Sequence, residues 1–345
     1  MQESLPVWNT EEITGHSWPP LRNRTFRPLR MPLISSSYRA PTLLRGGHVQ
    51  TIHPAMFRRV PDTTTRRERL ELPDGDFLDI DWADDGRERL AILSHGLEAD
   101  SKAHYIQGMA GALRRRGWDV LAWNFRGCGG EPNRLLKLYH GGATDDLHHV
   151  VNHALATHPA RQVDLIGFSL GGNLTLKYLG ERRLDPRLHR AATFSVPCDL
   201  ACSAARLSAP ENRIYMARFL NSLRAKLVAK QPCFPNELDL SGISKIRNFQ
   251  QFDEQFTAPL HGFRNAVDYW TRCSARSFLP GITIPTLLMN AANDPFLGPG
   301  CYPREEAGSK ETFHMEIPDE GGHVGFTTGT AETWAEIRAS QFLNG

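Results

Sequence analysis

The sequence predicts an α/β protein: a mostly parallel central sheet flanked by helices, with a helical cap inserted late in the chain. Two observations carry that expectation. Short apolar runs, each ending at a polar or glycine-rich turn, alternate with stretches of helical period, as buried parallel strands and their covering helices do. The alternation lapses between about residues 197 and 280 and then resumes.

The elements follow in order. Residues 1–65 are rich in Pro and Arg, lack a clear period, and are expected to form an N-terminal arm packed on the core. Residues 66–196 supply the first part of the core. Its strands are expected at 89–94 (RLAILS), 120–123 (VLAW), 163–167 (VDLIG) and 191–196 (AATFSV). A helix after Ser101, a candidate N-cap, places Ile106, Met109 and Leu113 at helical spacing. It runs out in Arg114, Arg115, Arg116 and Gly117, cations at a helix C-terminus followed by a glycine stop. Residues 197–280 form the expected cap. Residues 281–345 complete the core with strands at 286–290 (TLLMN) and 312–317 (TFHMEI) and a last helix near 331–342.

Composition narrows the function. The 345 residues carry 40 Lys plus Arg against 38 Asp plus Glu, a formal charge of +2, which gives no electrostatic reason to expect nucleic acid as a partner. A chain of this length buries a sizeable core without metal or disulfide staples. The six cysteines have no paired C-x-x-C spacing, so neither a structural zinc site nor a disulfide framework is expected. The first residues, MQESLPVWNTEE, do not read as a secretory signal, and no apolar run is long enough to span a bilayer. A cytoplasmic protein is the expectation.

The chemistry concentrates at Gly167-Phe168-Ser169-Leu170-Gly171. The pattern G-x-S-x-G recurs by chance, so context decides, and here a strand precedes it and a helix of small residues follows. Such a turn exposes the serine hydroxyl in strained dihedrals, and the flanking glycines let strand and helix approach closely. A serine hydroxyl is a poor nucleophile at neutral pH and needs a base, which needs an orienting acid. Asp294 lies just past the strand at 286–290, and His323 lies between the last strand and the last helix. Both fall at C-terminal strand ends, where open α/β sheets place their sites. Asp199 is a weaker rival acid. The backbone N–H groups of Leu97 and Leu170 are the expected oxyanion donors, and His95 is expected to order the loop between them.

The blocks His95-Gly96-Leu97-Glu98, Asn124-Phe125-Arg126-Gly127-Cys128-Gly129-Gly130, Gly167–173 (GFSLGGN), Asn293-Asp294-Pro295-Phe296 and Gly322-His323-Val324-Gly325-Phe326 resemble the signature blocks of the α/β hydrolases. More narrowly, with Gly47-His48-Val49-Gln50-Thr51 and residues 256–263, they resemble the YheT-type branch, which includes animal α/β-hydrolase-domain proteins acting on lipid esters. The resemblance covers about residues 40 to 340. It implies a carboxylic-ester hydrolase with Ser169, Asp294 and His323 as the matching triad, needing no cofactor or metal. Animal members begin with a membrane anchor, and none is expected here.

Other signals take structural readings. His140-x4-Asp145 fits a spacing associated with acyl transfer, but reads better as a helix entry capped by Thr144 or Asp145. Asp145, His149 and His153 share a helix face and read as solvated rather than metal-binding. The glycines around Cys128 do not fit a dinucleotide fingerprint, and Cys128 reads as a small packed residue. In the cap, residues 213–230 carry an apolar stripe of Met216, Phe219, Leu220, Leu223 and Leu227 with basic residues elsewhere. The stripe is expected to roof the pocket, with peripheral membrane contact as the rival. The function expected is ester hydrolysis of a small-molecule substrate with an apolar acyl group through an acyl-enzyme. An acyltransferase or thioesterase using the same serine, and a non-catalytic binding protein on the same fold, are the alternatives.

Overall fold

A nine-stranded sheet organises the molecule, in a computed structural model that describes residues 33–345. The strands are β1 (Leu33–Ile34), β2 (Arg66–Glu71), β3 (Phe77–Ala83), β4 (Arg89–Ser94), β5 (Asp119–Trp123), β6 (Gln162–Phe168), β7 (Leu188–Phe194), β8 (Thr286–Met289) and β9 (Phe313–Glu316). Their order across the sheet is β1-β9-β8-β7-β6-β4-β5-β3-β2. Every pairing is parallel except β2 with β3 and β3 with β5. The six strands expected from apolar runs are all present, with ends shifted by a few residues.

Alternation along each strand feeds two apolar layers. Leu90 and Ile92 of β4 join one, and Ala91 and Leu93 join the other. The first layer packs under α3 (Thr144–Thr157) and α4 (Leu170–Glu181); the second packs under α2 (His104–Arg115) and the C-terminal helix Trp334–Asn344. α2 ends as expected, with Gly117 at φ +91 taking the left-handed stop.

Three sequence expectations need correction. The described part of the arm is not featureless, because Gly47–Phe57 forms a helix, α1; residues 1–32 of the expected arm lie outside the described residues. Ser101 does not cap α2. The N-cap is Ala103, and the Ser101 hydroxyl is taken by Asp81. The N-cap of α3 is Ala143, with no side-chain cap: Thr144 is bound to Glu181 and Asp145 to Arg182.

Between β7 and β8 the chain forms only helices and turns. α5 (Leu200–Leu207) and α6 (Arg213–Lys230) lead, and α7 (Phe249–Phe252), a π-helical turn Asp253–Thr257, α8 (Ala258–Leu260) and α9 (Ala266–Cys273) follow. A short α10 (Arg304–Gly308) precedes β9, and the C-terminal helix is α11.

Candidate active site

The site begins at the turn between β6 and α4. Ser169 sits there at φ +51, ψ −121, in the left-handed half of conformational space that a side chain normally avoids. Glycines make the turn possible. A Cβ on Gly167 would stand 2.6 Å from Gly172 Cα, and one on Gly171 would stand 2.3 Å from the His95 carbonyl oxygen. Glu98, Ser169, Ser195, Val324 and Phe326 are the non-glycine residues with positive φ among the described residues. All lie in loops at this end of the sheet, where strain is held by surrounding structure.

His323 and Asp294 arrive from two other strand ends. His323 Nε2 lies 2.9 Å from Ser169 Oγ, and His323 Nδ1 lies 2.9 Å from Asp294 Oδ2 and 3.1 Å from Oδ1. The Phe296 N–H donates to Asp294 Oδ1 at 2.9 Å, and the Phe296 ring lies 4.2 Å from the imidazole centroid. The three residues singled out in the sequence are therefore joined in one hydrogen-bonded line. Asp199, the rival acid, accepts the Cys202 N–H and caps α5 instead.

The loop after β4 brings Leu97 to the same place. Gly96 packs against Ser169, where a Cβ would meet the Ser169 Cβ at 3.0 Å. On either side of Leu97 the amides are occupied: Gly96 N–H donates to the Tyr105 hydroxyl at 3.0 Å, and Glu98 N–H donates to the Tyr139 hydroxyl at 2.9 Å. Among the described residues the Leu97 and Leu170 N–H groups have no acceptor. His95 does order this loop. Its Nε2 accepts the Phe125 N–H at 3.1 Å, which leaves the proton on Nδ1, donated to the Gly96 carbonyl at 2.7 Å. Burial lowers its pKa to about 3, so it stays neutral.

Sequence reasoning passed over a second set of supports. Thr51 on α1 accepts the His323 N–H on its hydroxyl at 2.9 Å, and Ser195 accepts the Val324 N–H at 2.9 Å. Thr51 belongs to the GHVQT block quoted above, which carried a signal without a role. Glu98 also ties the loop to α6: its carboxylate accepts from the Tyr139 hydroxyl at 2.6 Å, from Lys226 Nζ at 2.8 Å and from Ser222. Lys226 also reaches the Cys128 sulfur at 2.9 Å. Burial pushes that thiol up to about 11, as befits a packed residue rather than a nucleophile.

Above the triad lies a cavity of ≈ 110 Å³ whose wall includes Ser169, His323, Leu97 and Leu170. Phe219, Leu223 and Leu227 of α6 line it, and Met216 and Leu220 are buried, so the stripe roofs the cavity. Several α6 cations are consumed inside the molecule. Arg224 donates to the Ile243 and Ile246 carbonyls, and Lys230 to those of Asn133 and Leu135. The wall includes one carboxylate, Asp253, which accepts Trp270 Nε1–H at 2.8 Å and the Thr257 hydroxyl at 2.6 Å. Burial pushes it up to about 6. No group of three or more His, Cys, Asp or Glu placed to hold a metal occurs among the described residues.

The family model described as "alpha/beta hydrolase fold" matches residues 92–330. The chain belongs to the α/β-hydrolase family. It is 34% identical to YheT of Escherichia coli (strain K12), a presumed esterase, over 86% of this chain and 89% of that one. It is 28% identical to the mouse phospholipase ABHD3, over 86% of this chain and 75% of that one. These place it in the YheT/ABHD-type branch of the family. Among solved structures it is similar in fold to the Pyrococcus furiosus esterase Pf2001, with a TM-score of 0.57 and 20% identity over 83% of this chain and 96% of that one. No helix among the described residues of this α/β hydrolase is long and apolar enough to cross a membrane.

Proposed function

We propose that the protein is a carboxylic-ester hydrolase that acts on a small ester with an apolar acyl group, through an acyl-enzyme on Ser169. The observation that carries this reading is the contact of Ser169 Oγ with His323 Nε2 at 2.9 Å, backed by Asp294, on the wall of an apolar cavity. The relatives named as an esterase and a phospholipase support the same class of bond.

In this mechanism Asp294 holds the imidazole with its proton on Nδ1, so Nε2 is free to accept the Ser169 proton as Oγ attacks the ester carbonyl. Leu97 and Leu170 N–H groups stabilise the oxyanion that forms; donors of this kind contribute roughly 10²–10³ each in kcat. His323 returns the proton to the leaving alcohol. Water then enters, loses a proton to His323, and releases the acid. Residues 197–280 act as the cap that shapes the acyl site, between the two parts of the core at 66–196 and 281–345. The cavity's ≈ 110 Å³ lies below the roughly 300–1,000 Å³ of ligand clefts in general. Its lining is mostly apolar, with Leu138, Leu200, Phe219, Leu223 and Phe296, which suits an apolar acyl group.

Rates for p-nitrophenyl esters from acetate to palmitate test the proposal. A defined optimum is expected, Ser169→Ala should abolish turnover, and Leu223→Trp, which fills the cavity under α6, should move the optimum to shorter acids. A profile flat in chain length, or one that Leu223→Trp leaves in place, counts against the acyl-site assignment. Turnover that survives Ser169→Ala counts against the mechanism.

A further inference from the structure

Helix α1 is built the wrong way round for a helix on a water-soluble surface. Its inward positions are Gly47, Gln50, Thr51 and Pro54, which pack on the loops that carry the triad: Gly47 lies against the Asn293 carbonyl, and Thr51 holds the His323 amide. Its outward positions are His48, Val49, Ile52, Ala55 and Met56, and the whole segment GHVQTIHPAMF contains no Lys, Arg, Asp or Glu. Val49, Ile52, Met56 and Phe57 are all exposed, as is Leu43 just before the helix. They make up five of the eight exposed large hydrophobic residues among those described, and they crowd into 15 positions of the chain.

The start of α6 extends this face. His48 stacks on Tyr215 with ring centroids 5.7 Å apart, and the residue before Tyr215, Ile214, is 79% exposed. Cations border the patch. Arg59, Arg213 and Arg218 are exposed, and none has a carboxylate within ion-pair distance among the described residues. His48 Nδ1 also lies 3.1 Å from the Tyr215 hydroxyl, which sets α1 beside the first turn of α6. The neighbouring acids are engaged: Glu211 with Arg206, Asp62 with Lys102, and Glu320 with Arg45. An apolar face with a cationic border matches the interfacial region of an anionic bilayer, where apolar side chains enter the acyl boundary and cations meet the lipid phosphates.

We propose that α1, with Leu43 and the start of α6, is a docking surface for anionic membranes that sets the protein on the lipid interface beside its triad. The apolar stripe of α6 is spent on the cavity, so the contact is made by these residues instead. Exposed apolar patches of this kind mark interaction sites, and the cationic border selects the lipid surface over a second copy of the chain.

Flotation of the full-length chain with vesicles of phosphatidylcholine alone, or with phosphatidylglycerol added, tests this. Binding is expected with the anionic vesicles, falling as salt rises. The triple variant Met56→Ser, Phe57→Ser and Ile214→Ser should bind roughly tenfold more weakly. Val228→Ser, an exposed apolar residue at the other end of α6, should bind like the parent. Both variants should keep the parent's melting temperature and its rate on a soluble ester. Failure of the parent to float with anionic vesicles would overturn the proposal, whether the face is covered by residues 1–32 or by a second copy; so would a triple variant that binds as well as the parent. The outcome is independent of the hydrolase reading, since Ser169→Ala protein must float equally well.

Discussion

Asp253 is the residue whose chemistry its surroundings change most usefully for a test. Its carboxyl sits in an apolar wall with two neutral donors and no cation, so its charged form is disfavoured. The sign follows from which state holds the proton. The folded protein keeps it up to about pH 6, whereas an unfolded aspartate releases it near 4. Asp253 therefore favours the folded state most below about pH 4, and that contribution is lost as pH rises through about 6. Asp253→Asn should remove this loss. Its melting temperature relative to the parent should rise between pH 4 and 7, by the equivalent of about 1–3 kcal/mol. Parallel curves for parent and variant across that range would contradict the assignment. Nothing in the sequence marked Asp253, because its surroundings come from the fold of the cap. Ser169, Asp294 and His323, which the structure joins by hydrogen bonds, stood out for the opposite reason: each follows a strand whose end is set by its own apolar run. Ser101 misled because the buried Asp81 on β3 competes for its hydroxyl, a contact across 20 residues.

At the scale of elements, legibility tracked unbroken apolar runs, which located β4 to β9. β3 is buried at every position but was not located, because Asp79 and Asp81 interrupt its apolar residues. β2 was not located either, since RRERLE reads as a solvated charge run. Its cations are an edge-strand device: Arg67 and Arg69 reach across to Asp81 and Asp79 of β3 at 2.7 and 2.9 Å. α1 escaped notice because its apolar residues face out and its buried positions include Gln50 and Pro54, an inversion that period analysis cannot assign to a core. The β6–turn–α4 unit was fully readable, and its glycines make it testable. Gly171→Ala would put a Cβ 2.3 Å from the His95 carbonyl and 2.5 Å from that of Ser94, both backbone atoms that cannot swing away. The loop bearing Leu97 must then shift. The expected result is a loss of roughly 1–3 kcal/mol in stability from overpacking and a fall in kcat of at least about tenfold from displacement of the proposed oxyanion donor. Denaturant melts and steady-state rates on one soluble ester check both. A variant as stable and as active as the parent would show that the close approach does not position the loop.

For the whole molecule, the parallel sheet is what turns three unremarkable side chains into a site. Residues 169, 294 and 323 are separated by 125 and 29 positions in the chain, yet all emerge at the carboxyl ends of β6, β8 and β9. Helices between β7 and β8 line the cavity at that edge, and α1 buttresses it from the side, through Thr51 and Gly47. In the proposed mechanism this convergence is what makes the Ser169 hydroxyl reactive. Intact-mass analysis after exposure to a fluorophosphonate decides the point. One adduct per chain is expected, mapping to the peptide that holds Ser169, with labelling slowed at least about 10³-fold by His323→Ala and absent in Ser169→Ala protein that melts like the parent. An adduct on another residue, or labelling that persists in folded Ser169→Ala protein, would contradict it.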